Sequence, residues 1–395
     1  MYYINYSWCF FLNEIYGLLE NIKNCYTEVY IYKIILERED RGYMKKDRDS
    51  RFEMLRLISI FLIVLHHLVL HSAIKNYTGI SFNRMITQLY LIGGKLGVNC
   101  FIFITGYFSI KKKFKCNKIF SIELQTLFYT ILFLIITLIG FPEKISIKNI
   151  LGSFFPTIFG TYWYITAFMG ILLLSPMINI VLNKISFEQY MFLLVISIFM
   201  FSISPTVFRQ RNWTNDLLWF ITLYCIGGAV YRFKDIFKKI KSSLWLIGCI
   251  VAVIITWGIS LVIMFLAEFW NAKLESYVNV FSLSTYSTFV LIASFCLFMY
   301  FVNMQSFENR FINKLASYTL GIYLIQSNPF VADIFLWRWI EHFEWYTKKL
   351  WPLYAMIITC AICIICIGID NIRFRMMKHT HFFEIISKKI DSIWQ

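Results

Sequence analysis

Apolar runs of about 20 residues recur along nearly the whole of this chain, the length a helix needs to cross a hydrocarbon core about 30 Å thick. Ten can be drawn, over residues 54–74, 86–110, 119–140, 163–182, 190–207, 216–233, 244–267, 281–304, 314–335 and 351–370. Only 15% of the residues are charged, against about 25% in a soluble domain, which argues against a water-soluble fold. In lipid each backbone polar group must be satisfied within the protein, and a helix does this inside its own segment. The expected fold is an all-α integral membrane protein, a single polytopic bundle of about ten transmembrane helices. With 6 Pro and 17 Gly and no internal repeat, nothing marks a linker between modules.

The charges orient this bundle. Lys45, Lys46, Arg48 and Arg51 precede the first span, and Lys111, Lys112, Lys113, Lys115 and Lys118 follow the second. With ten spans these fall on one face, together with Arg232, Lys234, Lys238, Lys239 and Lys241 after the sixth span and Arg373, Arg375, Lys378, Lys388 and Lys389 in the tail. The positive-inside rule makes that face cytoplasmic, so a multi-pass plasma-membrane protein with both termini inside is expected. The net charge of +15 then reads as a topology signal and an attraction to anionic membrane lipids, not as evidence for nucleic acid. Residues 1–50 are expected to be a cytoplasmic N-terminal segment and 371–395 a basic cytoplasmic tail. The first 43 residues mix aromatics with charges and have two readings: an interfacial helix, or a stretch ahead of a translation start at Met44. The ten cysteines are scattered, several inside apolar runs, so no disulfide framework and no metal site is expected; Cys363 and Cys366 form a CxxC, but inside the last span.

The first span carries most of the unusual chemistry. It reads Arg51-Phe52-Glu53-Met54-Leu55-Arg56, then an apolar run, then His66-His67, with His71 one turn later. Ionisable groups within a membrane helix cost about 2.5–3.5 kcal/mol each on insertion scales for Arg, and are functional candidates for that reason. Arg56 and His67 are eleven positions apart, which at 100° per residue leaves them about 20° from superposition and about 16 Å apart along the axis. His66 points about 80° away from Arg56, so His67 is the better candidate of the pair. A histidine can take a proton from an attacking hydroxyl or accept an acyl group itself, and an arginine suits a donor's phosphate or carboxylate. A plainer reading has both histidines bonding neighbouring helices and Arg56 snorkelling to the headgroups. Lys95 in the second span and Glu123 in the third are the other notable intramembrane ionisable groups.

Glu53-Met54-Leu55-Arg56, ten residues and then His67 resembles the opening signature of the membrane-bound acyltransferase-3 family. Gly97 to Phe108, with its Thr105-Gly106-Tyr107-Phe108 ending and the basic Lys111-Lys112-Lys113 behind it, is similar to a second motif of the family. Tyr162-Trp163-Tyr164-Ile165, Tyr224-Cys225-Ile226-Gly227-Gly228 and Ala316 to Ile325 extend the resemblance over about residues 50–370. Two positions depart from it: many members have arginines where this chain has Lys111 to Lys113, and many have a histidine where it has Gln326.

The resemblance implies a transmembrane acyltransferase domain over residues 51–370, moving an acetyl group from acetyl-coenzyme A to a hydroxyl of a surface polysaccharide or lipid-linked glycan. It implies His67 as general base or transient acyl carrier, with His66 and His71 as secondary candidates. Arg56, with Lys111, Lys112 and Lys113, would hold the donor's phosphates, and Glu53 would orient Arg56 or act as a helix-start cap. Trp163, Tyr164, Tyr323 and Gln326 are candidates to contact the acceptor, although an interfacial aromatic belt also accounts for Trp163 and Tyr164. No permanently bound cofactor is implied. Some members carry an extracytoplasmic domain that finishes the transfer; here transfer is expected within the membrane, at its outer surface, or through a separate partner protein. The loop around 141–162 is short and aromatic, as of a segment that re-enters the membrane to cover a site. The rival reading is a transporter or flippase of lipid-linked glycan, for which charges or broken helices spread over several spans are expected. A polysaccharide polymerase would call for a larger outer loop. Residue usage heavy in Ile, Lys, Phe and Asn is that of a low-GC bacterium.

Overall fold

A computed structural model of the chain describes residues 48–71, 78–336 and 347–377. The expectations for residues 1–43, and for the tail beyond Met377, lie outside the described residues. Among the described residues every regular element is helical: α1 (Ser50–Leu70), α2 (Phe82–Ser109), α3 (Cys116–Gly140), α4 (Ile147–Phe154), α5 (Trp163–Lys184), α6 (Phe187–Ile198), α7 (Asp216–Arg232), α8 (Ser242–Phe269), α9 (Thr288–Asn303), α10 (Arg310–Ala316), α11 (Thr319–Gln326) and α12 (Trp351–Met377). Among the described residues eight segments are long and apolar enough to cross a membrane: α1, α2, α3, α5, α8 and α12, with Phe187–Val207, where a π-helical turn prolongs α6, and Ala272–Asn303, which ends in α9. Two further segments bring the bundle to the expected ten. One is α7, at 17 residues. The other is the stretch 310–336, which is drawn as one span from hydropathy but is broken in the structure into α10, α11 and a π-turn, Val331–Leu336. The second break falls at Ser327-Asn328-Pro329, where proline has no N–H for the ladder and Asn328 Oδ1 instead accepts from the backbone N–H of Phe330 at 3.0 Å.

The helix starts carry the caps their sequences call for. Asp49 accepts from the Arg51 N–H at 3.2 Å, Ser81 from Arg84 at 3.2 Å and Asn215 from Leu217 at 2.9 Å. Helix α1 is central, packing on α2, α9, α10, α11 and α12, with Leu55, Val64 and Leu68 fully buried. Small residues set how closely its neighbours approach. Gly93 and Gly97, a G-x-x-x-G pair on α2, lie against Leu62 and Ser59 of α1. Farther along α2, a methyl on Gly106 would overlap the Tyr224 carbonyl of α7, and one on Gly227 of α7 would overlap the Phe103 carbonyl of α2. The two glycines thus form a reciprocal crossing at which the backbones touch.

Several polar groups inside the bundle are paired across helices. The Arg51 guanidinium reaches the Val302 carbonyl at 3.0 Å and that of Met304, tying the start of α1 to the end of α9. Asp370 on α12, fully buried, accepts from the Tyr129 hydroxyl of α3 at 2.5 Å and from Arg373 at 2.6 Å, against Gly321 of α11. The segment after α3 folds back along it: the Thr157 hydroxyl donates to Glu123, 17 residues before Gly140 and so about 25 Å down α3. The Thr130 hydroxyl donates to the Ser153 carbonyl at 2.7 Å. The loop 141–162 therefore runs back along α3, and α5 begins beside that helix rather than at its end.

Candidate functional site

The helical phase of α1 separates its two adjacent histidines. His66 is buried and its Nδ1 lies 2.7 Å from the Leu91 carbonyl of α2, in space that Gly94 leaves open, so it joins α1 to α2. His67 is only partly buried, and its Nδ1 lies 2.9 Å from Gln326 Oε1 at the end of α11. Gln326 is fully buried, and its amide nitrogen donates to the Ser327 hydroxyl at 2.5 Å. Its carbonyl oxygen therefore faces the imidazole and accepts the Nδ1 proton, which leaves the Nε2 lone pair of His67 as the basic site. The His71 ring lies 6.2 Å from that of His67.

Toward the N-terminal end of α1, Arg56 donates to Glu53 at 2.6 Å across one turn. Glu53 is 7% exposed and Arg56 30%, so a buried carboxylate steadies a guanidinium that keeps an open side. The charges of Arg56 and Lys112 both act on Lys118 at the start of α3, whose Nζ lies 5.7 Å from the Phe168 ring centre. Lys111 and Lys113 are exposed in the turn between α2 and α3, and Lys112 lies over the Phe108 ring at 5.3 Å.

An aromatic wall links these cations to the histidine level. Tyr164 stacks on Phe168 at 5.6 Å and meets Phe220 of α7 at 5.5 Å and Tyr323 of α11 at 5.3 Å. Trp163 meets Phe220 at 5.9 Å, and the Lys95 ammonium of α2 lies 4.9 Å from the Trp163 ring centre. Lys95 is thirteen residues into α2, about 20 Å from its start, so the half-open Trp163 ring stands near the mid-length of α2 and not at its end. Tyr162 at the same turn donates to the Leu324 carbonyl at 2.9 Å.

The structure thus brings His67, Gln326, Tyr323, Tyr164 and Trp163 around one region and sets Arg56, Glu53 and Lys112 at the other end of the same helix pair. Three features escape a reading of the sequence. Gln326 is the hydrogen-bond partner of His67. Lys118, in sequence one more lysine of a basic run, is the member of that run folded against the aromatic wall. Asp370 is the hub of a buried network, for which the i, i+3 spacing to Arg373 was the available signal.

An all-helical bundle with a histidine held from a second helix, and an arginine about three turns below it, is the geometry on which the comparisons with known proteins bear. No curated protein and no solved structure matches the chain significantly. A family model described as an acyltransferase domain, that of the acyltransferase-3 family, matches residues 49–370, most of the sequence and nearly all of the described helices. The chain belongs to the acyltransferase-3 family of membrane acyltransferases.

Proposed function

We propose that this membrane acyltransferase takes an acetyl group from acetyl-coenzyme A at the cytoplasmic face and transfers it to a hydroxyl of a surface polysaccharide or lipid-linked glycan. The observation that carries the reading is the His67–Gln326 hydrogen bond, because it fixes the imidazole with a free Nε2 in a partly accessible region of a membrane helix. The donor's phosphates bind Arg56, Lys112 and Lys118, and its extended pantetheine arm spans the roughly 16 Å to His67. In a direct transfer, Nε2 removes the acceptor's proton as its oxygen bonds to the thioester carbon. The tetrahedral adduct then expels the thiolate, which leaves as the thiol with the proton from His67. In a two-step route Nε2 attacks the thioester carbon and the coenzyme A thiolate leaves; the acceptor hydroxyl then takes the acetyl group from Nε2, and its proton goes to the thiolate. Trp163, Tyr164 and Tyr323 stack on the acceptor sugar. In this reading the membrane is a bacterial plasma membrane with both termini on its cytoplasmic side, which the positive-inside distribution of the basic clusters supports.

The test is acetyl transfer from radiolabelled acetyl-coenzyme A into membrane glycans, with His67→Ala and His66→Ala compared at equal amounts of folded protein. Loss of label with His67→Ala and its retention with His66→Ala is the expected result; equal retention in both overturns the assignment of His67. Label trapped on the wild-type protein after acid quenching, and absent from His67→Ala, selects the two-step route.

A further inference from the structure

The lysine at position 95 has a setting that the roles above do not use. It stands about 20 Å into an apolar helix, and among the described residues no carboxylate lies within ion-pair distance of it. Its contact is the face of Trp163, at 4.9 Å. The carboxylate acting on it from farther off, Asp216, already accepts the Tyr286 hydroxyl at 2.8 Å. Lys95 follows Gly94, whose open side faces the His66 ring, and its ammonium lies over Trp163, so it stands at the level of the histidines along α2. An unpaired ammonium at this depth costs about 2.5–3.5 kcal/mol on insertion scales, a burden that a purely structural position sheds by mutation to an apolar residue.

Resting on the acyl-transfer reading, we propose that Lys95 is a catalytic residue whose ammonium stabilises the oxyanion formed when the acyl carbonyl becomes tetrahedral opposite His67. Among the described residues the group has no ion-pair partner because its anion exists only during the reaction. As the acceptor oxygen bonds to the carbonyl carbon, the C=O electron pair moves onto oxygen and the acceptor proton goes to His67 Nε2. The oxyanion takes a hydrogen bond from Lys95, then re-forms the C=O as the thiolate departs and collects the proton. Lys95 keeps its own protons throughout. Such a donor, stronger toward the transition state than toward the ground state, is worth about 10²- to 10³-fold in kcat.

The experiment uses the full chain in detergent or reconstituted vesicles, with acetyl-coenzyme A and the acceptor glycan fraction, and compares Lys95→Met and Lys95→Arg with wild type. Lys95→Met is expected to lower kcat by about 10²- to 10³-fold with the KM of donor and acceptor unchanged. Its thermal midpoint is expected to be equal to or above that of wild type, since an unpaired charge has been removed. Lys95→Arg is expected to recover part of kcat. A raised acceptor KM with kcat kept overturns the proposal in favour of Lys95 binding an anionic acceptor. A lowered midpoint in Lys95→Met, with kcat restored once folded protein is counted, overturns it in favour of a structural lysine. If Lys95→Met does not fold, Lys95→Arg decides: a fold with no recovered kcat above that of His67→Ala overturns the proposal. A wild-type chain that transfers no acetyl group under any condition overturns the acyl-transfer reading itself, a result distinguishable from failure at Lys95 alone.

Discussion

Replacing Gln326 by methionine keeps the length and volume of the side chain while removing the oxygen that accepts from His67. The two atoms are 2.9 Å apart and Gln326 is fully buried, so in the variant the Nδ1–H loses its protein partner. Leaving a buried donor unsatisfied costs about 1–3 kcal/mol, or about 5- to 150-fold at 1.4 kcal/mol per factor of ten. His67 is itself partly accessible, so water recovers part of this loss, and a fall of about 10- to 30-fold in kcat is expected. The donor contacts at Arg56 are about 16 Å away, so the KM for acetyl-coenzyme A is expected to stay unchanged. Gln326→His, which supplies a ring nitrogen as acceptor, is expected to keep most of the activity. Steady-state acetyl transfer by purified variants at equal folded concentration measures both parameters. Wild-type kcat in Gln326→Met refutes the assignment of Gln326 as the group that positions His67.

Gly106→Ala places a methyl onto the Tyr224 carbonyl and is expected to lower the thermal midpoint and the yield of folded protein, whereas Gly258→Ala, at a position with nothing within 4 Å, is expected to change neither. Lys118→Ala is expected to raise the KM for acetyl-coenzyme A several-fold more than Lys111→Ala, because Lys118 shares the field of Arg56; equal effects in a donor titration contradict the grouping. Burial works to raise the Asp49 carboxyl, but the hydrogen bonds and charge of Arg51, with Ser306, outweigh it and hold the group below its ordinary value of 3.8. A depressed carboxylate contributes stability that is present above the unfolded value and lost as pH falls through the folded one. Thermal midpoints are therefore expected to drop on acidification below about 3.8, and less steeply in Asp49→Asn, which starts lower at neutral pH.

Much of the architecture is legible in the amino-acid sequence because the bilayer allows so few solutions. A run such as 244–267 can only be a helix in lipid, and α8 follows it within a few residues. The Arg56–His67 stripe is legible for the same reason: both residues lie on one helix, whose period is fixed, and the lower rank of His66 follows from its 80° offset, while the structure sets its ring against the Leu91 carbonyl. The ninth span is where hydropathy fails. Its composition is apolar throughout, yet Asn328 and Pro329 break the ladder, and hydropathy sums do not register where backbone bonds are lost.

What only the tertiary structure decided are the meetings between spans. Gln326 reads in sequence as a polar residue near an acceptor and becomes the partner of a histidine 259 positions away. Trp163 and Tyr164 read in sequence either as acceptor contacts or as an interfacial belt, and their depth along the bundle comes from the loop before them, which turns back along α3 and hydrogen-bonds to Glu123. Lys95 reads as an isolated intramembrane charge, and its place at the histidine level depends on how closely α2 approaches α1, which the glycines at 93, 94 and 97 permit. Helical periodicity is a local property, set by hydrogen bonds four residues apart, and so is written along the chain. The contacts that build the site join residues from α1, α2, α5, α7 and α11, and they exist only once small residues and polar side chains have fixed the spacing and rotation of those helices against one another.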